Sequence, residues 1–139
     1  MSMDGFLSFA STDWEEVAPL HARLAPLGID LWVAKERREA STAWHDAVRD
    51  AIDGSPAVVL AVSSRWVQSP PCAYELGVAR GLRRRVLALL DLSAAMTAPV
   101  LPSILHAPDV ERIGAERSID RAVELIAERL RPAGRTDMR

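Results

Sequence analysis

S-S-R-W-V-Q-S-P-P-C-A-Y-E-L-G-V-A-R-G-L-R-R-R, residues Ser63 to Arg85, is the stretch that decides the fold. An apolar run, Ala57 to Val62, leads into it, and a second, Val86 to Leu90, leaves it. Short apolar runs bounded by turn residues are the pattern of buried strands. The stretch therefore forms the crossover of a strand–loop–helix–strand unit. Its loop is dense in Ser and Pro, and Pro70 and Pro71 suit the first turn of the helix, where a missing N–H costs nothing. Tyr74, Val78 and Leu82 would be that helix's buried stripe. Arg83 to Arg85 would lie at its C-terminal end, where cations meet the negative pole of the dipole. Glu75 stands one turn into the helix. A carboxylate there, facing a cleft beyond the strand ends, is the candidate functional centre of the chain.

Upstream, Asp4 to Phe9 (D-G-F-L-S-F) reads as a first strand, broken by Ala10-Ser11-Thr12-Asp13. Thr12 with Glu15 three residues on is a capping-box pattern. The helix it opens carries Val17, Leu20, Leu24 and Leu27 on one face and stops at Pro26 and Gly28. Ile29 to Val33 is a second strand. A charged loop, Ala34 to Thr42, precedes a helix from about Ala43 to Ile52 with Trp44, Val48 and Ile52 aligned. Downstream, Val86 to Leu92 is the fourth strand, and three prolines between Ser93 and Asp109 exclude a long helix there. Val110 to Ile113 is a short fifth strand, and Ser118 to Leu130 a final helix with Ile119, Val123, Ile126 and Leu130 in register.

Strand and helix alternate about five times, which predicts a doubly wound parallel α/β sheet with helices on both faces. Ligands gather beyond the carboxyl ends of such strands, near the switch in strand order. The 139 residues fit one domain, taken as residues 1–132, with 133–139 a polar tail that would link to a further domain. Half the chain is apolar (49%), enough for a core without disulfides or metal. A net charge of −2 with interleaved signs gives no reason to expect nucleic acid. The single cysteine, Cys72, suits a reducing compartment. Neither a signal-like start nor a membrane-length apolar run is present, so a cytoplasmic location off the membrane is expected. His21, His45 and His106 stand singly, and no metal site is expected.

In order and at the usual spacing, these segments resemble a TIR domain (Toll/interleukin-1 receptor-like), and among those the bacterial kind. D-G-F-L-S-F-A-S-T-D at Asp4 to Asp13 is similar to the family's first box. G-I-D-L-W at Gly28 to Trp32 is similar to its second strand, and Ser63 to Leu76 to its third box. L-P-S-I-L at Leu101 to Leu105 resembles the Pro-containing segment before the last strand. Pro71 departs from the pattern, since the family usually carries Trp directly before the cysteine. The resemblance implies a flavodoxin-like sheet. It also implies one of two functions. Some members are non-catalytic adaptors that assemble through TIR–TIR contacts. Others cleave NAD+ at the nicotinamide–ribose bond in defence signalling, when activated by self-association, with an essential glutamate that carries over onto Glu75.

For the second function NAD+ is the substrate and no cofactor is needed. The partners implied are NAD+, other TIR domains and an attached or separate sensor domain. Nicotinamide leaves as a neutral ring from a pyridinium, so no general acid is required, and one carboxylate beside the ribose can stabilise the developing oxocarbenium ion. The plainer reading of Glu75 is a solvated acid favoured by the helix dipole. Trp32 and Trp44 flank the charged loop and would either stack on a base or pack in the core, and Trp44 shares a helical face with Val48. Phe9, Ala10 and Ser11, where the family places ligand contacts, end the first strand. Cys72 shares a helical face with Glu75, either beside the site or as a buried thiol. Arg37 and Arg38 would meet phosphates or water, and Asp13 would orient a ribose or cap a helix. A third reading is a deoxyribosyltransferase-like enzyme of related fold, with the glutamate as a covalent nucleophile.

Overall fold

The computed structural model describes residues 3–33 and 42–131. Arg37, Arg38 and the rest of their loop, and the polar tail, lie outside the described residues. Five parallel strands form one sheet: β1 (Gly5–Ser8), β2 (Leu31–Trp32), β3 (Ala57–Ala61), β4 (Arg85–Leu90) and β5 (Val110–Gly114). Their order is β2-β1-β3-β4-β5, so the order reverses between β1 and β3. The helices are α1 (Trp14–Leu24), α2 (Thr42–Asp53), the short α3 (Ser64–Val67), α4 (Pro70–Gly81) and α5 (Ile119–Leu130). Among the described residues, no helix is long and apolar enough to cross a membrane.

Alternation along the strands sorts the core into two layers. Leu7, Phe9, Val59, Ala61, Leu87 and Leu89 face α1 and α5. Phe6, Val58, Leu60, Val62, Val86 and Ala88 face α2 and α4. Every strand position is buried along β1 and β3, which explains why the central runs are continuously apolar rather than alternating. Ser8 is the exception: it is polar, fully buried and in register with Leu60. By alternation it points with Phe6 toward the α2 and α4 side.

Four expectations are corrected. The second strand is shorter than Ile29–Val33, because the Ile29 N–H bonds back to the Leu24 carbonyl at 3.2 Å and closes the helix end instead of joining the sheet. The capping box does not form. Ser11–Asp13 is a 3-10 turn, α1 begins at Trp14, and Asp13 at its N-cap makes no capping bond with its side chain. The crossover after β3 holds two helices. Ser63 caps α3 and Ser69 caps α4, each accepting a backbone N–H. Finally, α4 is rotated from the expected stripe. Tyr74, Val78 and Leu82 are only partly buried, and the fully covered face is Pro71, Cys72, Glu75, Leu76 and Ala79.

The three arginines after α4 fasten the far end of the sheet. Arg83 takes a left-handed conformation (φ 59°), with Arg83 and Arg84 N–H groups bonding the Arg80 and Ala79 carbonyls, which terminates the helix. Arg84 donates to the Asp53 carbonyl and carboxylate, and Arg85 to Glu111. Arg129 also donates to Glu111, at 2.6 Å. The Arg129 guanidinium, with help from Arg85, holds the Glu111 carboxyl below its ordinary value. A depressed carboxyl contributes stability above its unfolded value, and that contribution disappears as pH falls through the folded one. Glu111→Gln therefore lowers stability slightly at pH 7, by no more than about 1 kcal/mol because solvent screens the cluster. As pH falls through the lowered value of the folded carboxyl, the melting temperatures of the two proteins converge. A gap that persists in acid would mean the ion pairs contribute nothing.

Candidate functional site at the carboxyl ends of β1 and β3

Glu75 is completely buried, and the picture of a solvated acid does not hold. Ser8 Oγ donates to its Oε1 at 2.6 Å. The two groups meet because Ser8 ends β1 on the side that α4 covers, while Ser69 and the two prolines start α4 so that Glu75 falls in the middle of its covered face. Trp66 of α3 is 3% exposed and reaches the same place: its indole Nε1 donates to Ser8 Oγ at 3.1 Å.

A second buried carboxylate stands at the same end of the sheet. Asp13, also fully buried, accepts from Ser63 Oγ at 2.5 Å and from Arg65. It thus neither caps α1 nor stands free. It ties the turn after β1 to the loop after β3. Ser63 Oγ in turn accepts the Trp66 N–H at 3.0 Å. Arg65 also donates to the Ala95 carbonyl at 3.0 Å, and Ser64 Oγ to the Thr97 carbonyl at 3.1 Å. Three of the loops at the carboxyl end of the sheet are therefore bound to one another at the switch in strand order, where parallel sheets collect ligands.

Asp13 is dry, whereas the Arg65 side chain is 47% exposed, so the guanidinium brings its charge to the carboxylate without being desolvated itself. Removing it leaves a buried carboxylate with Ser63. Arg65→Met is expected to cost about 2–3 kcal/mol, a fall in melting temperature near 10 °C. Adding Asp13→Leu recovers part of that loss, since no stranded charge remains. Thermal unfolding of the single and double variants checks this, and a single variant as stable as wild type would refute it.

The other sequence-picked residues divide by face. Trp44 is 7% exposed, packed against Tyr74 with ring centroids 5.8 Å apart, in the same layer as Glu75. Cys72 is fully buried in that layer. Trp32, half-buried, stacks on Phe6 at 5.1 Å with the ring planes 16° apart. Phe9 lies in the opposite layer, against Trp14 at 5.2 Å. Ala10 is buried just past β1, with its carbonyl accepting the Asp13 N–H, and Ser11 is exposed. Ser8, Ser63, Arg65 and Trp66 escaped the sequence reading. The signal for Ser8 was present: it is the one hydroxyl in an apolar strand, on the same parity as Phe6. Among the described residues, no cluster of His, Cys, Asp and Glu could hold a metal ion.

The family's sequence profile, described as TIR domain, matches residues 6–126. The chain belongs to the TIR domain family. Solved TIR structures resemble it over nearly its full length. The TIR domain of the Toll-related receptor TRR-2 from Hydra magnipapillata superposes with a TM-score of 0.64 at 20% identity, covering 92% of this chain and 94% of that one. A TIR domain from the RPS4–RRS1 heterodimer gives 0.58 at 16% identity, covering 90% and 92%. TIR domains of the activated Roq1 resistosome, which recognises the pathogen effector XopQ, give 0.53 at 20% identity, covering 99% and 75%. At those identities the likeness is one of fold, and the five-stranded parallel sheet of this TIR domain agrees with it. No curated protein matches the chain in sequence.

Proposed function

We propose that this TIR domain hydrolyses NAD+ at the nicotinamide–ribose bond, with Glu75 as the catalytic carboxylate. The observation that supports it is the Ser8–Glu75 pair: a carboxylate held at 2.6 Å by a hydroxyl, at the carboxyl end of the strand where the order of the sheet reverses. A buried acid is costly to keep, and one that adds nothing to the core is a candidate for chemistry. In the reaction the C1′–N bond breaks and its electron pair goes to the nicotinamide nitrogen. Glu75 stabilises the ribosyl cation left behind. Water adds at C1′ to give ADP-ribose and a proton; attack by the adenine ring would give a cyclic isomer instead.

Glu75 is closed to solvent in the single chain, so on this reading the walls of the site part when chains associate or substrate enters. RPS4 and RRS1 pair through their TIR domains, and the Roq1 TIR domains belong to an activated assembly, which favours control by association here too. A sensor domain would supply that signal in defence signalling. Nicotinamide release measured over a wide range of protein concentration tests the reading. It should rise more steeply than in proportion to protein, and no release at any concentration rejects it.

A non-catalytic adaptor is the competing reading. It draws on exposed apolar side chains at the same end of the sheet, Val100 (79% exposed) and Val67 (37%). The release assay separates the two.

A further inference from the structure

We propose that Trp66 is a positioning residue for Glu75, acting through Ser8; the inference rests on the hydrolase reading above. An indole nitrogen carries a hydrogen and accepts nothing, so Trp66 Nε1 at 3.1 Å must donate to Ser8 Oγ. A serine hydroxyl has one hydrogen and two acceptor positions. With one of those positions filled by the indole, the hydrogen is turned away from Trp66, and Glu75 Oε1 at 2.6 Å receives it. The indole thus fixes a rotor that would otherwise turn, and the rotor fixes one oxygen of the carboxylate.

Trp66 is itself set by the second carboxylate. Its backbone N–H donates to Ser63 Oγ, whose own hydrogen goes to Asp13 Oδ2. The order Asp13, Ser63, Trp66, Ser8, Glu75 therefore runs from the turn after β1, across the loop after β3, and back to the end of β1 and α4. Packing alone does not call for the indole nitrogen. A phenyl ring fills most of the same space, and in this cluster the N–H serves Ser8.

The experiment compares wild type, Trp66→Phe, Ser8→Ala and the double variant for nicotinamide release across NAD+ concentrations, using the whole chain. Trp66→Phe should lower kcat about 5–10-fold and leave KM within about twofold, the size expected from losing one hydrogen bond. In the Ser8→Ala background the same change should have no further effect, because Ser8 is the group through which Trp66 acts. An unchanged kcat in Trp66→Phe overturns the inference. So does an equal loss in both backgrounds, which would mark Trp66 as packing only. Should Trp66→Phe not fold, Ser8→Ala carries the test: kcat falls with KM kept, and an unchanged kcat overturns the inference. A wild type that releases no nicotinamide removes the hydrolase reading and this inference together. An active wild type with independent variants removes this inference alone.

Discussion

Glu75→Gln lowers kcat for nicotinamide release by about 10³-fold or more, while KM and melting temperature stay near wild type. Glutamine keeps the volume of the side chain and an oxygen for Ser8 to address, so the buried face of α4 stays filled. What disappears is the negative charge. A neutral amide cannot offset the cation that develops on the ribose. The contrast between lost turnover and kept stability is the informative part. A variant that loses both would show Glu75 to be a fold determinant, and one that loses neither would mean that another group carries the chemistry. Covalent catalysis is separated by mass spectrometry: a ribosyl adduct trapped on Glu75 would favour the transferase-like route over direct stabilisation of the cation.

Phe6→Ala is the largest expected blow to stability, about 3–5 kcal/mol, or roughly 10–20 °C in melting temperature. Phe6 is completely buried in a strand flanked on both sides, and its ring stacks on Trp32 at 5.1 Å. Alanine removes that area and leaves a cavity. Sheet backbone walls it on one side and α2 and α4 on the other, so little can collapse into it. Ser8 lies two residues along on the same side, so the variant should lose nicotinamide release at temperatures well below its own melting point. Calorimetry and the release assay on one sample check both statements. A drop under about 3 °C would mean the layer is looser than its burial indicates.

Much of this was readable in the residues. Strand and helix order and the parallel sheet follow from apolar runs of strand length alternating with helical stripes. The failures have physical causes. Apolar spacing puts the α4 stripe on Tyr74, Val78 and Leu82, because it takes apolar residues to mark the buried face. In fact that face carries an acid at its centre, and periodicity counts an acid as exposed. Asp13 looked like a cap because Asp before a helix usually is one. Its real partners, Ser63 and Arg65, are about 50 residues away in sequence, beyond the reach of local pattern. Trp66 carries no signal of its own, because nothing in a strand–loop–helix pattern says which loop side chain turns inward.

The parity of β1 has a consequence for how this domain can change. Phe6 and Ser8 face one layer, Leu7 and Phe9 the other. A one-residue slip of β1 against β2 and β3 would not merely shift the hydroxyl; it would present Leu7 to α4 and push Ser8 into the opposite core. Folding and the Ser8–Glu75 pair therefore share one reading frame along the strand. Variants of this chain that keep the first strand in register carry the hydroxyl to Glu75 automatically. Those that lose the register lose the fold before any question of chemistry arises.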